Sequence, residues 1–286
     1  MQKIQKKDAY MKLLEKELIG KRKDFSLCED GVFFNGHFAA VIDGCSSHKP
    51  PLHEGKSSGV IAKDLILEAL ATLAPESTME EAFSACNTAL ACWYQGHGLL
   101  EAMRNDPSGR CSAYIAMVSK ARREVWILGD CQAFVDGQVY TSHKPIDILM
   151  ENLRALYIEV ELQGGSSEEA LAQDFEPIRK RLSSQMAVQP IFQNSTRRTS
   201  FSYFTLDGFF TNFAAVQVVK LGDADTQVVL GSDGYPQLLG SLHATEERLA
   251  ALLASDPLCF RENRSTKGLE RGNISFDDRS YLRVMV

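Results

Sequence analysis

A chain of 286 residues with 44% hydrophobic and 24% charged side chains has material for a large packed core and lacks the polar bias of a disordered protein. Its formal charge of −6, from 31 basic and 37 acidic residues, supplies no general attraction to nucleic acid or anionic lipid, so neither is expected as a partner. The opening Met1-Gln2-Lys3-Ile4-Gln5-Lys6-Lys7-Asp8 lacks a signal-peptide core, no later run is long enough for a bilayer, and the cysteines form no CxxC pair; the expectation is a cytoplasmic protein without disulfides or structural zinc.

From the N-terminus, residues 8 to 19 carry Tyr10, Leu13, Leu14, Leu18 and Ile19 on one side of a helical projection, which predicts a short amphipathic helix in an extension over residues 1 to 20. Two strand-like runs, residues 32 to 34 and 37 to 42, flank Asn35-Gly36, a strong hairpin signal, and the second delivers Asp43. After a loop rich in Pro, His, Ser and Gly, residues 59 to 73 show a helical pattern through Val60, Ile61, Leu65, Leu67 and Leu70. Pro75 ends it, and Ser77-Thr78-Met79-Glu80-Glu81 is a capping signature for a second helix that turns Phe83, Leu90 and Trp93 inward.

Strands return at residues 113 to 118, 124 to 128 and 132 to 135, with turns at Arg122-Arg123 and Asp136-Gly137. Residues 145 to 185 are helical with a joint at Gly164-Gly165-Ser166-Ser167, and residues 145 to 200 are expected to form a flap-like insertion beside the site. Further strands are predicted at 201 to 206, 213 to 221 and 227 to 230, the first two joined across Asp207-Gly208. A helix over 245 to 254 precedes a last strand over 280 to 286. This order predicts an α+β fold, two antiparallel sheets with helices outside, as a single domain over residues 1 to 286.

Four apolar, β-favouring runs end on an aspartate: Phe38-Ala39-Ala40-Val41-Ile42-Asp43, Val125-Trp126-Ile127-Leu128-Gly129-Asp130, Val228-Val229-Leu230-Gly231-Ser232-Asp233 and Asn273-Ile274-Ser275-Phe276-Asp277. Strand ends can gather such carboxylates around hard divalent cations, which prefer oxygen ligands, and neighbouring glycines let backbone carbonyls approach. The pattern points to metal-dependent phosphoester hydrolysis. An Asp-Gly at a strand end is more often a turn, and Asp136-Gly137 and Asp207-Gly208 are read as hairpin connections. His48 and His53, in a Pro-rich loop without thiolate partners, are read as solvated, and Arg197-Arg198 as part of a polar loop.

In their order these motifs resemble those of the metal-dependent protein phosphatases, the PPM-type or protein phosphatase 2C-like family, in its bacterial form, over roughly residues 20 to 286. Glu29-Asp30 looks like the family's first acidic pair, Asp43-Gly44 its Asp-Gly, Gly129-Asp130-Cys131 its Gly-Asp-Ser, and Ser232-Asp233-Gly234 its Ser-Asp-Gly. Asp277-Asp278-Arg279-Ser280 resembles its closing Asp-Asn-x-Thr or Asp-Asp-x-Thr, with the register between Asp277 and Asp278 open. The resemblance implies a four-layer αββα sandwich holding two Mn²⁺ or Mg²⁺ ions between its sheets. In that scheme Asp43 bridges both ions, the Gly44 carbonyl binds one, Asp233 and Asp277 complete the other, and Glu29 and Asp30 act through metal-bound water. The implied reaction is hydrolysis of phosphate monoesters on phosphoserine or phosphothreonine of a protein substrate, by a water bridging the two ions. Asp130 is implied as ligand to a third ion, bound weakly or not at all because Gln237 stands where an aspartate would help.

Departures from the family pattern define the alternatives. Cys45 follows Asp43-Gly44 where eukaryotic members carry a histidine that protonates the leaving group, and His48 is a candidate substitute. Phe25 stands near the position of the phosphate-binding arginine; Arg22, Lys21 or Lys23 are candidates for that role, and Arg22 joins Asp43, Asp233 and Asp277 in the catalytic set. A pseudophosphatase that serves as a protein-binding module, and a phosphomonoesterase for small molecules, are the alternative readings.

Overall fold

The computed structural model describes residues 10–47, 49 and 55–286. Two five-stranded antiparallel sheets stack face to face. In one, the order is β2 (Asp30–Phe34), β3 (Phe38–Cys45), β4 (Ser112–Ser119), β5 (Glu124–Leu128) and β8 (Gln217–Lys220). In the other it is β1 (Lys12–Ile19), β10 (Arg279–Met285), β9 (Gln227–Gly231), β6 (Gln132–Val135) and β7 (Gln138–Tyr140).

Side chains alternate across a strand, so a strand apolar on both faces must be covered on both. In β3, Ala39 and Val41 face the second sheet, where they meet Val228, Leu230, Leu282 and Val284 in a core between the sheets. Ala40 and Ile42 face outward, under Ile66 and Leu70 of α1 (Ser58–Ala71) and Phe83 and Leu90 of α2 (Met79–Gly96). A short α3 (Leu100–Asn105) follows. Beyond the second sheet, Val229 and Tyr281 pack under Leu249 and Leu252 of α7 (Leu242–Ser255). The layers therefore run helix, sheet, sheet, helix, the α+β sandwich expected. A satellite cluster joins α4 (Pro145–Gln163), α5 (Glu168–Gln173) and α6 (Glu176–Met186) to Leu258 and Phe260 through Ile158, Leu171, Ile178 and Leu182.

Local signals are realised where caps and turns decide. Thr78 and Glu81 close the capping box of α2, and Ser57 caps α1. The β2–β3 hairpin forms, but its turn centres on Gly36-His37 because the Asn35 carboxamide accepts the amides of His37 and Phe38 at 3.0 and 2.8 Å.

Three expectations give way to tertiary pairing. The segment expected to be an N-terminal helix forms β1, an edge strand paired with β10 from Lys12↔Met285 to Ile19↔Arg279; residues 8 and 9 lie outside the described ones. Its leucines fit either period in so short a run, and the open edge of the second sheet supplies a ladder that a lone helix would lack. Residues 201–206 make only isolated bridges, Gln193↔Tyr203 and Ala113↔Leu206, and of residues 213–221 only β8 is strand. Asp207-Gly208 is not a hairpin turn: the fully buried Asp207 accepts hydrogen bonds from Arg110 Nη1 and Gln193 Nε2, each at 2.9 Å. Among the described residues no helix is long and apolar enough to cross a membrane.

Candidate functional site

The carboxylates of the motifs meet at one end of the sandwich. Asp30 opens β2 and Asp43 lies near the end of β3, and the two are cross-strand partners. Asp233 follows β9 by two residues, and Asp277 and Asp278 immediately precede β10, the neighbour of β9. The two segments are tied together by the Ser280 amide donating to Ser232 Oγ at 3.0 Å. Asp130 sits in the turn from β5 to β6, behind Gly129 at φ +84°, where an added Cβ would fall 1.9 Å from the Tyr114 ring. A side chain at Gly44 would force neighbouring backbone to shift, since its Cβ would lie 2.4 Å from the Gly59 carbonyl oxygen and 2.7 Å from that of Glu29. This close approach seats the N-terminus of α1 against the end of β3 at Asp43-Gly44.

Each acidic side chain has a distinct environment. Asp278 accepts the backbone amides of Lys21 and Glu29 at 2.7 and 2.9 Å, so it is spent on holding the chain in place, and Asp277 is the one turned to the centre. Glu29 accepts from the hydroxyls of Ser46 and Ser57. By contrast Asp30 Oδ2, Asp130 Oδ1 and Asp233 Oδ1 are buried with no hydrogen-bond partner. Burying unpaired carboxylate oxygen is costly unless a proton or cation compensates. Burial first, then the charges of Asp277, Asp233 and Asp278, pushes Asp30 up to about 8. Burial likewise raises Asp233 to about 7, with Lys267 opposing it, and raises Asp43 beside Asp233 and Asp30.

Of the positive charges at this end, Lys21 is one of the candidates the sequence offered, whereas Lys144 and Lys267 belong to no motif. Lys21 Nζ lies 2.7 Å from Asp277 Oδ1, and Lys267 Nζ contacts Asp277 Oδ2. Burial would raise Asp277, yet these two ammonium groups hold it below the ordinary carboxylate range. Lys144, one residue before α4, reaches Asp130 at 3.0 Å, Asp147 at 2.7 Å and the Tyr114 hydroxyl at 2.9 Å. Arg22, expected to bind phosphate, is exposed, whereas its neighbour Lys21 carries the charge that reaches the carboxylates. Burial pushes the Cys45 thiol well up, with Asp43 adding to it, which keeps it protonated. The proposed substitute acid His48, like His53, lies outside the described residues.

Hard oxygen donors with unpaired buried atoms fit a divalent cation in kind. Among the described residues, however, no three His, Cys, Asp or Glu side chains stand arranged to hold one as they are. The lysines on Asp277 and Asp130 stand where a cation's charge would act.

No family model matches the sequence, and no curated protein matches it. Solved structures similar to the chain include the serine/threonine phosphatase PstP/Ppp of Mycobacterium tuberculosis, at 15% identity over 97% of this chain and 99% of that one, with a TM-score of 0.48. The catalytic domain of PstP in complex with two manganese ions is 16% identical over 96% and 97%, at 0.46. The PPM Ser-Thr phosphatase MsPP from Mycobacterium smegmatis, in complex with cacodylate, is 13% identical over 96% and 98%, at 0.44. At these scores the likeness assigns no activity and no residue; those rest on the carboxylates and lysines of this chain.

Proposed function

We propose that the chain is a PPM-type, divalent-cation-dependent hydrolase of phosphate monoesters, acting on phosphoserine and phosphothreonine of protein substrates. The observation that carries this reading is the convergence of Asp30, Asp43, Asp233 and Asp277 at one end of the sandwich, with buried unpaired oxygens on Asp30 and Asp233. The manganese in one similar structure and the phosphatase descriptions of the others are in keeping with it. Asp43, the Gly44 carbonyl, Asp233 and Asp277 would hold two Mn²⁺ or Mg²⁺ ions with Asp30 beside them, and such ions supply Lewis-acid polarisation and an activated water.

The chain's own residues prepare that centre. Asp278 fixes the Lys21 and Glu29 backbones, which sets the position of Asp30 next in sequence. Lys21 and Lys267 bring positive charge to the same end, suited to the oxygens of a phosphoryl group. Phosphate release from a phosphopeptide during Mn²⁺ titration is expected to saturate, and to fall at least about 100-fold in Asp43→Asn and Asp233→Asn. Metal-independent turnover, or turnover that survives both changes, would sink the mechanism.

A second reading is favoured by the lysines. With Asp277 held by Lys21 and Lys267, and Asp130 by Lys144, the centre is partly neutralised from within, as in a protein-binding pseudophosphatase. Folded protein that releases no phosphate at any Mn²⁺ concentration would select it.

A further inference from the structure

We propose that Lys267 is an internal counter-cation that competes with a divalent ion for Asp277, so that the centre loads metal only as the Lys267 side chain withdraws. This rests on the metal-dependent reading above and names a residue that regulates loading.

Asp277, 4% exposed, has both oxygens committed. Oδ1 takes Lys21 Nζ at 2.7 Å and the Asp278 amide at 2.9 Å, and Oδ2 takes Lys267. The same centre leaves Asp30 Oδ2 and Asp233 Oδ1 unpaired. An ammonium group on Asp277 thus supplies charge to one carboxylate without collecting the others, whereas a divalent ion draws several oxygens together. Both cannot occupy Oδ2.

The two lysines are not equally free to leave. Lys21 is 14% exposed at its side chain, and its backbone is tied on both sides, the amide to Asp278 at 2.7 Å and the carbonyl to the Ile274 amide at 2.9 Å. Lys267 keeps 45% of its side chain exposed, along a flexible stem, although its ammonium head lies buried among the carboxylates. The backbone around it is fixed: Leu269 donates to Pro257 at 2.8 Å and Ser265 to Cys259 at 3.1 Å. The buried Arg154 of α4 donates to the carbonyls of Leu258, Cys259 and Ser265 at 2.7, 3.2 and 3.3 Å. A held loop with a movable charged tip returns the ammonium to Asp277 whenever the ion departs. Asp277, Asp233 and Asp43 attract that tip, and Lys21 repels it.

Calorimetric titration of Mn²⁺ alone into the full chain tests this, comparing wild type with Lys267→Met, Lys267→Gln and Lys267→Arg. The neutral variants are expected to bind Mn²⁺ about fivefold or more tightly, and the arginine variant no more tightly than wild type. Without metal, Lys267→Met should melt below wild type and gain more from Mn²⁺. Equal or weaker affinity in both neutral variants, or no binding in any protein, would overturn the competitor role. Equal affinities with Mn²⁺-dependent phosphate release would overturn that role alone. Tighter binding in Lys267→Met with no release from either protein would uphold it and defeat the hydrolase reading.

Discussion

Asp30 and Asp43 face each other across one rung of the β2–β3 ladder, a pairing that like charges would ordinarily oppose. Such a rung persists when something else compensates the charge, and the candidates here are lysine, proton or metal. Lys144 does this for Asp130 and Asp147 in a mostly enclosed setting, with side chains 13%, 15% and 17% exposed. Lys144→Met should therefore leave two carboxylates without their cation, and a loss of about 3 kcal/mol is expected in urea unfolding. An unchanged midpoint would show that solvent already screens the pair. Gly44→Ala is expected to abolish phosphate release while the chain stays folded, because its Cβ must push the Gly59 carbonyl, 2.4 Å away, and with it the start of α1. Retained turnover in that variant would mean the end of β3 adjusts without cost. Asp43 is visible from its strand-ending motif, and Asp277 from its place in the ordered acidic motifs, although residues 273–277 run as irregular chain ahead of β10 and form no strand; Lys267, in Ser265-Thr266-Lys267-Gly268, carries no motif and joins the site only through the path of its loop.

Among the elements, α1, α2, β4, β5, β9 and β10 fall close to their expected places because each has a local cause: a cap, a run apolar on both faces, or a turn. The segment from 201 to 216 does not. Residues 201 to 206 and the run from 213 read as strands, but the segment runs mostly as irregular chain held by side chains, with Asp207 at its anchor between Arg110 and Gln193. Arg110 also lies over the Phe209 ring at 4.2 Å. Asp207→Ala would strand the buried Arg110 charge, and a loss of about 3–5 kcal/mol in denaturant midpoint experiments is the expected result. A loss below about 1 kcal/mol would place the anchor elsewhere.

Across the whole molecule the acidic end should set the pH response of the metal-free protein. Asp30 at about 8 and Asp233 at about 7, both raised first by burial, bind more protons folded than unfolded above the ordinary carboxylate range. Stability therefore falls as pH rises through that interval. Asp277 acts in the opposite sense: held low by Lys267 and Lys21 in spite of burial, it contributes stability that is lost as pH falls below about 4. The metal-free melting temperature is expected to peak near pH 5 and decline toward pH 8, and saturating Mn²⁺ should flatten the decline by favouring the ionised carboxylates. A metal-free melting temperature that climbs from pH 5 to pH 8 would contradict the crowding of carboxylates at this end.

The amino-acid sequence alone dictated the alternation that covers both faces of β3, the caps that start α1 and α2, and the aspartates at or just past the ends of β3, β5 and β9, because these depend on residues a few positions apart. The tertiary structure decided that residues 12–19 pair as a strand, that Asp278 holds backbone while Asp277 faces the centre, and that lysines sit among the carboxylates. Lys21 and Asp277 meet across 256 positions, and β1 finds its ladder on β10 at the far end of the chain. Contacts of that span leave no local period or motif, since they arise only when the strands that carry them are brought side by side.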